Sequence, residues 1–152
     1  MPDDAEDARG AAELRLAAQV HRLSQLLSRP FVQEHAAKVG LSHAEWRVLA
    51  QIVQEPGTTA AEISVATAFT PMHVSRAVQV LRSKGFIASR ADPADSRRQL
   101  LEATESGAGT FASLVPYARH DVRSVMSTLT ASEFEAFVGY LDRVVESAQQ
   151  RL

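Results

Sequence analysis

The sequence predicts a mainly α-helical fold with one small β-hairpin. Apolar residues recur at helical spacing through most of the 152 residues. Ser42 with Glu45, Thr59 with Glu62 and Thr130 with Glu133 each stand before such a run. In these boxes hydroxyl and carboxylate satisfy orphan helix amides reciprocally. The stretch 70–101 departs from the pattern, because a short helix passes directly into an extended, cationic segment centred on a turn.

The first helix is expected from about Gly10 to Val39, on the stripe Leu16, Val20, Leu23 and Leu27 with Leu14 and Leu26 beside it. Pro30 lacks a backbone donor, which predicts a kink or break near Arg29, and Gly40 ends the segment. The second helix follows Ser42, carries Trp46, Leu49 and Val53, and stops at Glu55-Pro56-Gly57. The third is short, with Ala60, Ile63 and Ala66 inward, and Thr67-Ala68-Phe69 turns the chain into the fourth. Thr70 caps that fourth helix, residues 71–84, and Pro71 suits its first position. Val74, Ala77, Val78 and Leu81 form its buried face, and Gly85 stops it. Phe86 to Arg90 is extended, Ala91 to Arg98 is a turn-rich tip, and Leu100 and Leu101 begin a return strand. The third and fourth helices make a helix-turn-helix, and the hairpin 86–104 gives it a wing.

After Gly107 a long helix resumes on Phe111, Leu114, Val115, Ala118, Val122, Val125, Met126 and Leu129, bent at Pro116. The last helix places Phe134, Phe137, Val138, Leu141, Val144, Val145 and Ala148 on one side. Residues 1–9 are expected to be a disordered acidic tail and 10–152 a single domain. Within it, the helical regions 10–39 and 105–152 flank a winged unit at 42–104. Burying each large side chain of the flanking stripes is worth about 1.5–3 kcal/mol. Either two chains interlock these helices as a homodimer, or the helices cover the winged unit within one chain.

The formal net charge is only −2, but charge is segregated along the chain. Between residues 70 and 101 stand Arg76, Arg82, Lys84, Arg90, Arg97 and Arg98 against Asp92 and Asp95 alone. The first nine residues carry Asp3, Asp4, Glu6 and Asp7 against Arg9. The chain has no cysteine, which excludes disulfides, thiolate zinc sites and cysteine redox chemistry and suits a reducing cytoplasm. No run of about 18 apolar residues predicts a membrane span, and the acidic N-terminus lacks the apolar core of a secretion signal. His21, His35, His43 and His120 show no metal spacing. No nucleophile elbow or Gly-rich phosphate loop frames an enzyme site. Neither a cofactor nor catalysis is therefore expected.

A short helix followed by a cationic hairpin suits double-stranded DNA, with the helix in a major groove and the hairpin in the adjacent minor groove. Thr70, Met72, His73, Ser75, Arg76 and Gln79 are candidate contacts of the recognition helix. Arg97 is the candidate minor-groove residue of the wing tip. Arg82, Arg90 and Arg98 are expected to steer electrostatically. The plain alternatives are a polar helix face and a solvated hairpin charge pair of little energetic value.

These residues resemble the MarR family of bacterial transcription regulators, from about Leu14 to Val145. The resemblance is carried by Gly40-Leu41-Ser42, Trp46 to Leu49, Ser75-Arg76 and Leu81 to Ile87, and above all by the wing. There Asp95, Arg97 and Leu101 match the family's D-x-R-x-x-x-L signature, followed by Thr104 and Gly107. Ala103 departs from it, since an apolar strand residue usually precedes that threonine. Met72-His73 stands where the family varies, so no operator sequence transfers.

The resemblance implies a dimeric winged helix-turn-helix regulator, a repressor or activator, that binds a pseudo-palindrome. It further implies that Asp95 orients Arg97 through a bidentate ion pair. It also implies a small aromatic or amphiphilic effector between the dimerisation helices and the winged unit, where Arg22, His35 and Trp46 are the candidate ligands, although Trp46 equally suits plain core. The expected protein is a cytoplasmic, ligand-responsive homodimeric repressor. The alternative is a winged-helix interaction module that has lost DNA binding.

Overall fold

The structure, a computed structural model, describes residues 2–151, with side chains from Arg9 onward. Helix α1 spans Pro2–Glu34 and a 3₁₀ turn spans Ala36–Val39. Helices α2 (His43–Gln54), α3 (Ala60–Thr67) and α4 (Pro71–Ser83) follow. Strands β1 (Ile87–Ala91) and β2 (Gln99–Ala103) form the hairpin, and helices α5 (Glu105–Met126) and α6 (Ala131–Gln149) complete the chain.

Helix α1 departs from the expectation at both ends. It begins at Pro2 rather than near Gly10; Met1 lies outside the described residues. The alanine-rich sequence around Gly10 favours that extension. Pro30 does not break the helix, which runs another turn to Glu34 before the 3₁₀ turn. Phe31, 4% exposed, docks in the core and holds that last turn against the lost hydrogen bond. Gly40 ends the segment at φ 72°, a left-handed conformation that glycine adopts without steric penalty. Pro116 likewise lies within a continuous α5.

All three predicted capping boxes are formed, and each cap is worth about 1 kcal/mol. Thr104 adds another cap, accepting from the Gly107 amide, so α5 starts at Glu105 rather than after Gly107. In the Thr59 and Thr130 boxes the backbone amide, then the hydroxyl, of the threonine hold Glu62 and Glu133 below the usual carboxylate range. His43 is pushed below its usual value by burial and then by the Arg47 charge.

These shifts share one sign. Each folded-state pKa lies below the unfolded one, so each group's contribution is present above the unfolded value and is lost as pH falls through the folded one. Thermal stability should therefore decline in two stages on acidification. The first begins below the ordinary histidine value of 6.5 and the second below the ordinary carboxylate value of 4.5. Thermal denaturation across pH checks this. Glutamine at 62 and 133 should flatten only the lower stage, and an unchanged profile in that variant would refute the assignment.

The core sits inside the winged unit. Leu41, Val48, Leu49, Ile52, Ile63, Val74 and Leu81 are fully buried, and Ile87, Leu101, Phe31 and Leu114 close around them. Val74, Ala77, Val78 and Leu81 all face inward as expected. On α3 only Ile63 is buried, while Ala60 and Ala66 are exposed. On α2, Val48 and Ile52 join Leu49 inside, while Trp46 and Val53 are half-buried.

The wing is a two-stranded antiparallel sheet with Ile87 opposite Ala103 and Ala91 opposite Gln99. Its return strand is also fastened to the α2–α3 turn: the Leu101 amide donates to the Thr58 carbonyl at 2.8 Å, and the Gly57 amide to the Leu101 carbonyl at 2.9 Å. The flanking helices cover the winged unit only in part: Phe31 of α1 and Leu114 of α5 reach its core, but much of their apolar surface stays open. Leu14 is 77% exposed, and no residue of α6 is buried, with Tyr140 and Val144 each 64% exposed.

Candidate nucleic-acid interface

The outer face of α4 follows from its inner one. With Val74, Ala77, Val78 and Leu81 committed to the core, Met72, Arg76 and Gln79 at i, i+4 and i+7 lie on the opposite side. All three are exposed, as are Thr70, His73 and Ser75. The Thr70 hydroxyl accepts from the His73 amide at 3.3 Å and lies 3.2 Å from Nδ1 of the His73 ring, so Thr70 both caps the helix and steadies its first polar side chain. Phe69 meets the same ring edge-on at 6.5 Å.

The wing tip is closed by its own aspartates. Oδ1 of Asp92 accepts from the Ala94 amide at 2.9 Å, and Oδ1 of Asp95 from the Arg97 amide at 3.0 Å. The Asp92 amide donates to the Arg98 carbonyl and the Arg98 amide to the Asp95 carbonyl. The expected bidentate Asp95–Arg97 ion pair is absent among the described residues. A short carboxylate reaches the amide two residues ahead more readily than a long guanidinium folds back, so Asp95 shapes an Asx-turn. It sets the backbone of Arg97, not its side chain.

The other arginines of this surface are engaged within the protein. Nη2 of Arg82 donates to the Ser89 hydroxyl at 3.1 Å. Arg90 pairs with Glu102 at 2.8 Å, diagonally across the hairpin. Arg98 pairs with Glu62 of α3 at 3.2 Å and approaches Asp92 at 3.9 Å. Arg76 and Arg97 take part in no ion pair among the described residues. Two exposed guanidiniums therefore remain available, one on the recognition helix and one at the wing tip. Glu62, Ser89 and Glu102 were not anticipated as members of this surface. Only Glu62 left a sequence signal, its capping box, and that signal points to a local role.

The three candidate effector residues separate. Arg22 is exposed on α1. His35 stacks on Tyr117 with ring centroids 4.1 Å apart, and Phe31 lies between it and Trp46, at 6.1 and 4.8 Å. Trp46 stacks on Phe111 at 5.1 Å and lines an open groove of about 1220 Å³ between α2 and α5. Arg47, Arg119 and Arg123 also line that groove; Arg22 and His35 do not.

A helix-turn-helix with a hairpin wing, flanked by amphipathic helices, defines the class as a winged helix-turn-helix protein. Residues 39–98 match the model of the MarR family. The HTH-type transcriptional repressor NicR of Pseudomonas putida is 27% identical over 115 residues, 76% of this chain and 73% of that protein. A mutant MarR from E. coli complexed with operator DNA has the same fold, with a TM-score of 0.75, 22% identity, and 88% and 95% of the two chains covered. So does the PcaV regulator of Streptomyces coelicolor in complex with its natural ligand, with a TM-score of 0.71, 24% identity, and 88% and 91% covered. Among the described residues no helix is long and apolar enough to cross a membrane, and no cluster of His, Asp and Glu could hold a metal ion.

Proposed function

We propose that this protein is a sequence-specific DNA-binding regulator that acts as a homodimeric repressor in the cytoplasm. One observation carries the reading: Met72, Arg76 and Gln79 line the exposed face of α4 while Arg97, outside every ion pair among the described residues, occupies the wing tip. The helix 71–84 enters a major groove, where Arg76 and Gln79 can hydrogen-bond base edges and Met72 can contact a thymine methyl. Thr70, His73, Ser75 and Arg82 lie along the backbone-facing margins, and Arg97 enters the minor groove. Arg90 and Arg98 add field, and Asp95 and Arg98 also hold the tip. The regions 10–39 and 105–152 form the dimer, which covers the apolar faces that one chain leaves exposed, and the half-sites lie roughly 10 bp apart. The repressor assignment is supported by the relative NicR, described as a repressor.

Fluorescence anisotropy on the gene's own upstream DNA tests this between 50 and 200 mM salt. With about six phosphate contacts, affinity should fall roughly 10³-fold over that range. A well-folded dimer that binds neither this fragment nor any genomic site would instead be a protein-interaction module.

Ligand response is part of the same proposal. Its support is the α2–α5 groove, with an aromatic wall at Trp46 and Phe111 and cations at Arg47, Arg119 and Arg123, together with a relative of the same fold that binds a natural ligand. An aromatic carboxylate that prefers one spacing of the recognition helices would shift the population and release DNA. Trp46 is the single tryptophan, so benzoate-type acids should quench its fluorescence saturably and weaken DNA binding in parallel. Quenching without any change in DNA affinity would disprove the coupling.

A further inference from the structure

We propose that Glu62 is a positioning residue for the wing: its carboxylate, anchored in the capping box of α3, grips Arg98 and so fixes how the hairpin presents Arg97. The final step, presentation to DNA, rests on the DNA-binding reading above; the tether itself does not.

The two oxygens of Glu62 are divided between two tasks. Oε2 accepts from the Thr59 amide at 2.7 Å and from the Thr59 hydroxyl at 2.9 Å, which completes the box. Oε1 accepts from Nη2 of Arg98 at 3.2 Å, 36 residues along the chain. The boxes at Glu45 and Glu133 form without any arginine, so the Arg98 contact is not a requirement of capping. Arg98 is held on its other side as well. Its Nε lies 3.9 Å from Oδ2 of Asp92, whose side chain is only 17% exposed, and its backbone closes the tip through the Asp92 amide.

The hairpin is thus fastened twice to one short segment, 57–62. Backbone hydrogen bonds from Gly57 and to Thr58 hold Leu101 midway along the return strand, and the Glu62–Arg98 pair holds the hairpin next to its tip. A two-stranded hairpin alone is marginal, and its tip retains freedom to swing beyond the last fixed residue. The second fixing point removes that freedom. Both side chains are about half exposed, so the pair adds little to global stability. What it changes is orientation, which lowers the ordering cost of seating Arg97 in a groove.

Glu62→Gln isolates this role, because glutamine also completes a capping box but carries no charge to hold Arg98. In the free protein, amide hydrogen exchange at Asp92 and Arg98 should quicken, while the α3 amides stay as they were. DNA affinity should fall about five- to tenfold at unchanged salt slope, and Arg97→Ala should cost less affinity in the Glu62→Gln background than in the wild type. The direction is diagnostic, since removing a negative charge beside DNA would by simple electrostatics tighten binding. Unaltered wing exchange would overturn the proposal. So would tighter binding with a salt slope steeper by about one, which would make Arg98 a phosphate ligand for which Glu62 merely competes. Faster wing exchange in a protein whose wild type binds no DNA would uphold the tether and overturn the DNA-binding reading instead.

Discussion

Alanine at position 97 is expected to weaken specific DNA binding by about 1–3 kcal/mol, roughly 5- to 150-fold. The expectation follows from the state of each arginine on this surface. Arg82, Arg90 and Arg98 already have protein partners, at 3.1, 2.8 and 3.2 Å. Arg97 has no ion-pair partner among the described residues, and its backbone is set by Oδ1 of Asp95. A guanidinium presented in this way suits the negative potential of a narrow minor groove. Asp95 provides the internal check. Asp95→Asn keeps the acceptor that forms the Asx-turn and should bind nearly as the wild type does; Asp95→Ala loses the turn and should approach the Arg97→Ala defect. Equal damage from asparagine and alanine would mean that the carboxylate charge, and hence an ion pair to Arg97, is what DNA binding needs. Anisotropy titrations on one DNA fragment decide between them.

Gly107→Ala should be the most destabilising small substitution in the chain. A Cβ at 107 would lie 1.9 Å from the carbonyl oxygen of Phe86 and 2.8 Å from its carbonyl carbon. Both are backbone atoms, which cannot rotate away as the end of a side chain can. Three hydrogen bonds fix the same junction. The Thr104 amide donates to the Phe86 carbonyl at 3.0 Å, and the Thr104 hydroxyl donates to the Gly85 carbonyl at 2.7 Å while accepting from the Gly107 amide at 3.1 Å. The first turn of α5 is therefore seated on the α4–β1 junction with no space to spare. Overpacking of this kind costs about 1–3 kcal/mol or more, which lowers the thermal midpoint of a chain this size by roughly 2–12 °C. Gly109 is the control, since nothing lies within 4 Å of its added Cβ. Alanine there should be neutral or should stabilise α5 by up to about 1 kcal/mol. If the two variants unfold at the same temperature, the junction is looser than its geometry indicates. The junction also matters for the proposed ligand response, because α5 joins the reading unit to the flanking helices across it.

Glu62 and Arg98 show where reading a chain residue by residue stops. The capping boxes, the inward stripe of α4 and the Gly85 stop were all legible. Each depends on residues three to seven positions apart, and helix geometry places such residues together whatever the rest of the chain does. The class of fold and the outer face of α4 were legible for the same reason. Other features depend on contacts between distant segments. Phe31 keeps α1 helical past Pro30 because a core built from α2, α4 and α5 receives it. Ala60 and Ala66 share a spacing with Ile63, yet remain exposed, because how α3 is rotated against α4 is fixed by tertiary packing.

Competition among partners accounts for the remainder. Asp95 had both the Arg97 side chain and the Arg97 amide within reach in sequence, and turn geometry chose the amide. Arg98 looked like one more steering charge until folding brought Glu62 to it across 36 residues. Local spacing thus decided the helices, their caps and the cationic hairpin. Which cation is tied down and which stays available, and how closely α5 can approach the wing, were decided only when distant segments met. No pairwise spacing in the chain records the outcome of that meeting.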